Sequence, residues 1–290
     1  MNNKEKKIFW IASYPKSGNT WLRAIISALF YSPAGVFNFN LLKHIPMFED
    51  RGWFEFIKEL NIHDYKKMHD LKVLSNYWLS AQNRIEIDKG SFAFFKTHHS
   101  CIKIDENYFA NKKNTLGVIY IVRDPRDILV SFINYSKTHK NEDKQVKNIL
   151  NTTLYKYNNS TNNKVMYGHL FPWDMHIESW LRLEVPIFLI KYEDLVNNLN
   201  KSILRLVDFF KKNYNLDLYD SQKIDNLVKT TNFNYMKKLE NKYGFKEKLT
   251  KNDFFNKGKT GLGKQLISKK NNELLINKFK IQMNRFRYKV

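Results

Sequence analysis

Residues 8–30 limit the possible folds more than any other part of the chain. Residues 8–12 (IFWIA) form a near-continuous apolar run, which is typical of a strand that is buried on both faces of a sheet. A turn containing Pro15 and Gly18 follows, and residues 21–30 then combine helical periodicity with good helix formers. A buried strand that leads through a short glycine-containing loop into a helix is the repeating unit of α/β proteins. The opening segment therefore predicts an α/β fold.

Further strands and helices alternate along the rest of the chain. Short apolar runs predict strands at 92–98, 116–122 and 186–191. A helix start follows the second run at Asp124-Pro125, and a helical pattern over 193–212 follows the third. This alternation predicts a three-layer structure, in which helices cover both faces of a central parallel sheet.

Three segments are interpreted separately. Residues 36–90 read as helices and connecting loops that are rich in aromatic side chains. Residues 141–164 have little apolar character, so we expect a flexible loop or lid there and not a domain linker. Residues 269–290 predict a basic amphipathic helix that packs on the protein. Because the sequence contains no evident internal repeat, we expect one domain over residues 1–290.

Charge and cysteine content narrow the class of protein. Lys and Arg number 49 against 28 Asp and Glu, and the net charge of +21 attracts anions such as nucleic acid, anionic lipid or a polyphosphate-like small molecule. The sequence is rich in Lys and Asn throughout, so a general drift in amino-acid composition would produce the same excess of basic residues. The net charge alone therefore identifies no partner. The single cysteine, Cys101, excludes an intramolecular disulfide and a multi-cysteine metal site. The first apolar run is too short for a signal-peptide core, and no apolar run of about 18 residues follows, so we expect a soluble cytoplasmic protein.

The loop at residues 13–20 has the features of a phosphate site. Parallel sheets bind ligands beyond the carboxyl ends of their strands, and this loop offers backbone N–H groups, a helix N-terminus, a lysine and hydroxyl groups there. Its order differs from the ATP-binding pattern G-x-x-x-x-G-K-S/T, because Lys16 precedes Gly18 and the first glycine position is not glycine. The strand at 116–122 ends in Arg123 and not in a metal-binding aspartate. The pattern therefore disfavours an Mg²⁺-nucleotide enzyme, and an ordinary strand-to-helix turn is the alternative.

Two other pairs of residues fall at predicted strand ends. Arg123 leaves its strand and Ser131 lies two turns into the next helix, so both can face one anion, which the arginine would bind in a bidentate manner. In an extended segment Lys96 and His98 project to the same side, whereas His99 projects to the other. A cation beside a titratable imidazole can serve a nucleophile and a leaving group together. Because strand alternation often fails at a strand end, both histidines stay open as the base.

These segments resemble the cytosolic-type sulfotransferase family, which uses 3′-phosphoadenosine 5′-phosphosulfate (PAPS). Residues 14–21 (YPKSGNTW) resemble its 5′-phosphosulfate loop, with Asn19 where many relatives have threonine, and residues 121–131 (IVRDPRDILVS) resemble its 3′-phosphate motif. Further similarities lie at 94–99 (FFKTHH), 173–180 (WDMHIESW), 191–195 (KYEDL), 231–236 (TNFNYM) and 255–264 (FNKGKTGLGK). The resemblance covers nearly the whole chain and implies a single sulfotransferase domain, with a central parallel sheet flanked by helices as in the P-loop nucleotide hydrolases.

The resemblance also implies roles for individual residues. His98 would be the base that activates the acceptor, and Lys16 and Lys96 would stabilise charge near the bridging oxygen. The residues implied in binding PAPS, and its product PAP, are Lys16, Ser17, Gly18, Asn19, Thr20, Trp21, Arg123, Ser131, Tyr192, Thr231, Phe233, Lys257 and Gly258. No metal is implied. Two departures bear on donor affinity, since Asn256 replaces an arginine that would grip the 3′-phosphate and Gly263 replaces a tryptophan.

The implied function is in-line transfer of a sulfuryl group from PAPS to a hydroxyl, or an amine, of a small-molecule, lipid or glycan acceptor. The sequence identifies neither that acceptor nor the oligomeric state. Two other classes stay open. A P-loop nucleotide kinase or NTPase would require Mg²⁺ and ATP, and a basic nucleic-acid-binding protein would lose affinity steeply with salt. Because no dedicated nucleic-acid module or membrane-inserted segment is recognisable, we expect neither nucleic acid nor membrane insertion.

Overall fold

The computed structural model describes residues 7–58, 70–85, 92–135, 141–155, 165–248 and 252–290. Its strands are β1 Ile8–Ala12, β2 Ala93–Thr97, β3 Lys103–Ile104, β4 Asn107–Tyr108, β5 Thr115–Val122, β6 Thr153–Tyr155, β7 Gly168–Leu170 and β8 Ile187–Lys191. Its α-helices are α1 Asn19–Tyr31, α2 Leu71–Ser75, α3 Trp78–Arg84, α4 Pro125–Tyr135, α5 Glu142–Leu150, α6 Trp173–Leu181, α7 Tyr192–Asn197, α8 Leu199–Tyr214, α9 Ser221–Thr231, α10 Phe233–Tyr243, α11 Gly263–Leu266 and α12 Lys269–Arg285. Two 3₁₀ helices, Phe39–His44 and Arg51–Phe54, lie between α1 and α2.

Four strands form the central sheet in the order β2-β1-β5-β8, and every neighbouring pair is parallel. Strand β1 lies between β2 and β5, where Ile11 pairs with Lys96 on one side and with Ile119 on the other. The prediction of a parallel α/β sheet flanked by helices is confirmed. This strand order brings the segments that follow β1, β2 and β5 together at one edge of the sheet.

Helices cover both faces of the sheet and bury an apolar core on each. Along β1, Ile8, Trp10 and Ala12 belong to one core, whereas Phe9 and Ile11 belong to the other, and all five are fully buried. The first core also contains Phe95, Tyr120, Trp173, Trp180 and Phe279, and the second contains Trp21, Phe94, Ile119, Phe188 and Phe210. Burial on both faces explains why β1 is a continuous apolar run and does not alternate with polar residues.

The prediction of a flexible loop over 141–164 is wrong where α5 and β6 form. Asn141 caps α5 by accepting a hydrogen bond from the third residue of that helix at 3.0 Å, and Val146 and Ile149 are buried in the first core. Strand β6 pairs antiparallel with β7, which comes later in the chain. One cap and two core contacts are enough for a short helix, because tertiary packing and not sequence propensity provides most helix stability. Residues 156–164 lie outside the described residues.

The predicted C-terminal helix is confirmed as α12. Leu275, Phe279 and Met283 are buried in the first core, which makes α12 a packed element of the domain. Neither α12 nor any other helix in the described ranges is long and apolar enough to cross a membrane. Within 36–90 the described residues contain the two 3₁₀ helices, α2 and α3, and the predictions for 59–69 and 86–90 lie outside them.

Candidate active site

The carboxyl ends of the four parallel strands open into a cavity of about 700 Å³. The loop at 13–18 follows β1, His98 follows β2, Arg123 follows β5 and Tyr192 begins the helix after β8, and each of these segments contributes to the lining. A smaller cavity of about 90 Å³ shares Lys16 and Arg123 with it. Open parallel sheets bind ligands at this edge.

The loop after β1 presents backbone N–H groups at the N-terminus of α1. Gly18 has a φ of 100°, and a Cβ atom there would lie 2.6 Å from the ring of Tyr192, so glycine is required. Helix α1 has no acidic residue in its first turn, which leaves the positive end of its dipole without a counter-charge from the helix itself. The Ser17 hydroxyl is buried and has no hydrogen-bond partner among the described residues. These features suit a bound phosphate or sulfate group.

Asn19 braces the loop with its side chain. The carboxamide nitrogen donates hydrogen bonds to the Ile11 carbonyl at 3.0 Å and to the Ser13 hydroxyl at 3.2 Å. Asn19 and Thr20 line the larger cavity, whereas Ser17 is absent from its lining. What Asn19 offers to a ligand is therefore its backbone N–H group and not its amide nitrogen.

Lys16 is a partly buried lysine in the left-handed region, with a φ of 67°. Its ammonium nitrogen lies 3.4 Å from the centroid of the Tyr135 ring. Burial, and to a smaller extent the charge of Arg123, lowers the pKa of Lys16 to about 7. The side chain is therefore divided between charged and neutral forms near neutral pH, and an anion beside it would favour the charged form.

Arg123 connects two loops at the rim of both cavities. Its Nη1 donates a hydrogen bond to the Lys16 carbonyl at 3.1 Å, and its Nη2 donates to the Lys259 carbonyl at 3.2 Å. The guanidinium carbon lies 4.1 Å from the centroid of the Tyr192 ring, and Nε is buried without a hydrogen-bond partner among the described residues. Ser131, on α4, lines both cavities together with Arg123. The structure thus brings together the two residues that the sequence pairs at a distance of eight positions.

The loop that carries Lys257 and Gly258 is attached to α4 by one carboxylate. Both residues line the smaller cavity. Asp127 accepts hydrogen bonds from the backbone N–H groups of Gly261 at 2.8 Å and of Gly263 at 2.7 Å. Sequence reasoning missed Asp127, whose role depends on a loop more than 130 positions further along the chain.

The two departures at Asn256 and Gly263 have different surroundings. A Cβ atom on Gly263 would lie 2.4 Å from the carbonyl carbon of Arg126, so the loop packs too closely on α4 for a tryptophan at this position. Asn256 is exposed at the smaller cavity, and its carbonyl accepts a hydrogen bond from the Lys237 ammonium at 3.0 Å. The Lys237 ammonium therefore lies beside Asn256, the position at which the family has an arginine.

Aromatic rings form another wall of the larger cavity. The Trp21 ring centroid lies 5.5 Å from that of Tyr192 and 5.9 Å from that of Phe233, and all three residues line the cavity. Thr231 is fully buried and absent from the lining. Its hydroxyl donates to the Leu227 carbonyl at 2.7 Å, and its own carbonyl accepts the Trp21 indole N–H at 2.7 Å. Thr231 therefore acts on this wall by orienting Trp21, and the wall itself suits a planar base.

His98 lines the larger cavity, and its Nδ1 lies 2.9 Å from the Ser13 carbonyl oxygen and 3.1 Å from the Ser13 hydroxyl oxygen. Because a carbonyl oxygen can only accept, this contact favours the tautomer with the proton on Nδ1 and the lone pair on Nε2. Its backbone N–H donates to Glu49 Oε1 at 3.3 Å. Burial, followed by the charge of Lys96, lowers the pKa of His98 to about 3. A neutral imidazole with its lone pair on Nε2 can act as a general base.

His99 lies in the first core and does not line the cavity. Its ring stacks on Phe109 with the centroids 4.2 Å apart, and its Nδ1 lies 2.7 Å from the Ser100 carbonyl oxygen. Only 2% of the residue is exposed. Of the two histidines, His98 is the one that the strand end directs to the cavity.

Lys96 is paired with an acidic residue that the sequence patterns did not reveal. Its Nζ lies 3.0 Å from Glu247 Oε2, and Nη1 of Arg23 donates to both oxygens of the same carboxylate at 2.8 and 3.0 Å. Burial lowers the pKa of Lys96, although the charge of Glu247 opposes this effect. One signal in the sequence was available, because Arg23 is a charged residue within an apolar helical run.

Helix α6 fixes the backbone next to the site. The Trp173 indole N–H donates to the Arg123 carbonyl at 3.2 Å, and Nε2 of His176 donates to the His98 carbonyl at 3.0 Å. Both side chains are fully buried. Trp173 and His176 are therefore architectural, because they hold the backbone of Arg123 and His98.

The chain is similar to known sulfotransferases over most of its length. A family model described as the sulfotransferase domain matches residues 6–287. An amine sulfotransferase of Oryctolagus cuniculus is 23% identical over 234 residues, which cover 79% of this chain and 62% of that protein. A 3-alpha-hydroxysteroid sulfotransferase of Cavia porcellus is 24% identical, with 79% and 65% covered. Cytosolic sulfotransferase 8 of Arabidopsis thaliana is 27% identical, with 87% and 69% covered. The chain therefore spans less than two thirds of the length of the two mammalian relatives.

Solved structures share the fold at low sequence identity. The structure of retinol dehydratase in complex with androsterone and the inactive cofactor PAP has a TM-score of 0.61 and is 17% identical, covering 98% of this chain and 81% of that one. A mouse sulfotransferase complexed with PAP has a TM-score of 0.55 and is 19% identical, covering 98% and 84%. At these identities the likeness shows the fold.

Proposed function

The chain belongs to the sulfotransferase family, and from this premise we propose that it transfers a sulfuryl group from PAPS to a hydroxyl or amine group of an acceptor. One observation carries the proposal, namely that two cavities with shared lining residues combine two candidate anion-binding corners with a neutral histidine that the Ser13 carbonyl orients. One corner is the loop at 13–20 with Lys16, and the other is Arg123 with Ser131. PAPS has an anionic group on each of two carbons of its ribose, and the two corners match that pattern.

The 5′ end of the donor would lie against the loop after β1. Backbone N–H groups at the N-terminus of α1 and the Lys16 ammonium would bind its phosphate, as helix N-termini bind anions elsewhere. The absence of an acidic residue from the first turn of α1 supports this fit, because the positive end of the helix dipole has no counter-charge from the helix itself. The donor, when bound, supplies the activated sulfuryl group and leaves as PAP.

The 3′-phosphate would lie at the smaller cavity. Arg123 and Ser131 would bind it together with Lys257 and the Gly258 backbone, all of which line that cavity. The buried Arg123 Nε, which lacks a partner among the described residues, supports an anion at this corner. The adenine would lie along the wall formed by Trp21, Tyr192 and Phe233, with Thr231 holding the tryptophan.

Proton transfer is assigned to His98. Because its Nδ1 donates to the Ser13 carbonyl, its Nε2 would take the proton of the acceptor group as that group attacks sulfur. Lys16 and Lys96 would stabilise the negative charge that develops on the oxygen linking sulfur to the nucleotide. Burial lowers the pKa of His98 to about 3, so the ring is neutral at physiological pH and its Nε2 can accept a proton, but the same shift makes it a weaker base than an unperturbed imidazole.

The names of the relatives indicate the chemical class of the acceptor. One relative is named an amine sulfotransferase and another a hydroxysteroid sulfotransferase, and retinol dehydratase was solved with androsterone bound. These names support a small molecule with a hydroxyl or amine group. The plant relative named a cytosolic sulfotransferase supports a cytosolic location, and the two cores on one sheet support a single domain over residues 1–290.

The reaction is tested with ³⁵S-labelled PAPS and a panel of phenols, alcohols and amines in the presence of EDTA. We expect label in the acceptor and release of PAP. Turnover of ATP that stops on addition of EDTA, with no transfer from PAPS, would instead support a P-loop kinase or NTPase. Salt-sensitive binding to nucleic acid with no selectivity for a 3′-phosphate would support a nucleic-acid-binding protein.

PAP binding is expected to take up a proton above neutral pH. The pKa of Lys16 is about 7 before binding because burial disfavours its charged form, and a phosphate beside it favours that form. At pH 8 the unliganded side chain is mostly neutral, so binding protonates it, and affinity falls as the pH rises further. Calorimetric titrations in buffers with different ionisation enthalpies should report uptake of about one proton at pH 8. The uptake should disappear in Lys16→Met, and an unchanged uptake in that variant would contradict the assignment.

Asp127→Ala is expected to weaken PAP binding about tenfold, the effect of losing a pair of hydrogen bonds to a charged group. The carboxylate holds the N–H groups of Gly261 and Gly263, so its loss should loosen the loop that carries Lys257. Calorimetric titration with PAP and with 5′-AMP separates the two corners, because only PAP has a 3′-phosphate. Affinity for 5′-AMP should stay unchanged, as should both affinities in the control Asp208→Ala, which breaks an exposed ion pair. An equal loss of affinity for PAP and for 5′-AMP would contradict a role of Asp127 at the 3′-phosphate.

A further inference from the structure

Three charged residues, Arg23, Lys96 and Glu247, meet in the lining of the larger cavity. Glu247 accepts two hydrogen bonds from Arg23, at 2.8 and 3.0 Å, and one from Lys96 at 3.0 Å. All three residues line the cavity that His98 also lines. A single carboxylate therefore pairs with two buried cations beside the proposed base, and the cluster keeps a net positive charge.

The cations and the carboxylate are held by different kinds of structure. Arg23 lies in α1 and Lys96 in β2, and their side chains are 3% and 9% exposed. Glu247 is 35% exposed and lies between α10 and α11, where residues 244–248 form neither helix nor strand. Two buried cations need a negative counter-charge, and any carboxylate placed between Arg23 and Lys96 would provide it. Within this cluster, Arg23 and Lys96 are held by regular secondary structure, whereas Glu247 is not.

Arg23 is oriented independently of Glu247. Its Nη2 donates to the carbonyl groups of Leu42 and Ile45 at 3.1 and 2.9 Å, which leaves Nη1 directed at the carboxylate. Its Nε is buried and has no hydrogen-bond partner among the described residues. A guanidinium group that the backbone already holds in place is prepared to bind a carboxylate, since little conformational freedom is lost on binding.

The cavity lining also favours an anionic occupant. Six lysine and arginine residues line it, against two acidic residues, Asp50 and Glu247. Lys16 and Arg123 belong to the proposed donor site, whereas Arg23 has no part in it. Lys96 precedes His98 by two residues, a separation of about 7 Å along an extended chain. An anionic group at the cluster would therefore lie within the length of a small acceptor from the base.

We propose that Arg23 and Lys96 form a subsite for a carboxylate on the acceptor, and that Glu247 occupies this subsite until the acceptor displaces it. This inference rests on the proposed sulfotransferase function and specifies its substrate as a molecule with both a nucleophilic hydroxyl or amine group and a carboxylate. The subsite binds and orients the acceptor and makes no covalent bond. The Lys96 ammonium has three donors, so it can contact the acceptor carboxylate and still face the reaction centre.

The subsite is tested with 4-hydroxybenzoate and its neutral counterpart 4-hydroxybenzamide, titrated calorimetrically into the full chain saturated with PAP. We expect the carboxylate to bind at least about tenfold more tightly than the amide, the effect of a bidentate, charge-assisted contact. Glu247→Gln removes the competing charge at nearly constant shape. It should tighten binding of 4-hydroxybenzoate by a further factor of about ten and change that of the amide by less than about twofold. Equal affinities for the two compounds, or weaker carboxylate binding in Glu247→Gln, would overturn the proposal.

Two further variants complete the experiment. Glu184→Gln removes a carboxylate from an exposed ion pair with Lys112 and should leave both affinities unchanged. Arg23→Gln should abolish the preference for the carboxylate. Because Arg23 is buried, the thermal unfolding of this variant is measured first. If Arg23→Gln does not fold, the result for Glu247→Gln decides the test. The titrations are repeated without PAP, so that a chain that fails to bind PAP, which would contradict the proposed function, still reports whether the carboxylate binds.

Discussion

Replacing His98 with asparagine is expected to reduce sulfuryl transfer by roughly 10²–10⁴-fold, the usual effect of losing a general base. The asparagine amide can still donate to the Ser13 carbonyl, as Nδ1 of His98 does, but it has no nitrogen that accepts a proton. The rate constant is measured with labelled PAPS at saturating acceptor, and PAP affinity is measured by calorimetry. PAP affinity should change by less than about threefold, because the change affects the transition state and not the donor site.

His44→Asn is the matched control for this variant. His44 is exposed and stacks on Tyr31 with the ring centroids 4.5 Å apart, and it does not line the cavity. It should transfer sulfuryl groups at the rate of the unchanged protein. Full activity in His98→Asn would remove His98 as the base, whereas loss of PAP binding would give it a role in holding the loop at Ser13.

Arg123→Gln is expected to weaken PAP binding by about 100-fold while affecting 5′-AMP by less than about threefold. The reason is that a buried arginine contributes about 1.5–3 kcal/mol to each charge-assisted hydrogen bond with an anion. PAP has the 3′-phosphate that Arg123 is proposed to bind, and 5′-AMP lacks it. At saturating PAPS the turnover number should stay close to that of the unchanged protein, since the base and Lys16 are intact.

The comparison of the two nucleotides separates two possible roles of Arg123. Its Nη1 also donates to the Lys16 carbonyl, so the arginine could act only by bracing the loop that holds the 5′-phosphate. In that case PAP and 5′-AMP would lose affinity equally, which would contradict the 3′-phosphate assignment. Arg205→Gln serves as the control, because it removes an exposed guanidinium from an ion pair with Asp194 and should leave both affinities unchanged.

Much of the fold could be predicted from local patterns. The four sheet strands lie where apolar runs predicted them, because a strand buried on both faces must be apolar at every position. The helix starts after β1 and β5 followed from glycine, proline and capping signals. The error over 141–155 arose where the apolar signal was weak, and where pairing of β6 with β7 and packing of α5 decided the structure.

The candidate site was predictable where its residues lie close in sequence to a strand end. Lys16, His98 and Arg123 all follow sheet strands, so the parallel sheet brings them to one edge without further information. The local pattern did not tell His98 from His99, since that depended on whether the last residues of the strand kept its alternation. The packing of His99 on Phe109 made that distinction.

Local sequence periods and motifs thus determined the α/β class, the edge of the sheet that carries the site, and the identity of its main basic residues. The partners of those residues depended on the three-dimensional packing. Lys96 and Glu247 are 151 positions apart, and no local pattern relates residues at such a separation. Likewise, close contact with α4 explains Gly263, and buried hydrogen bonds turn Thr231 into a support for Trp21. The periodicity of a sequence indicates which side of its helix or strand a residue faces. The charges and hydrogen bonds that set the pKa and orientation of its side chain come from elements that meet only in the folded chain.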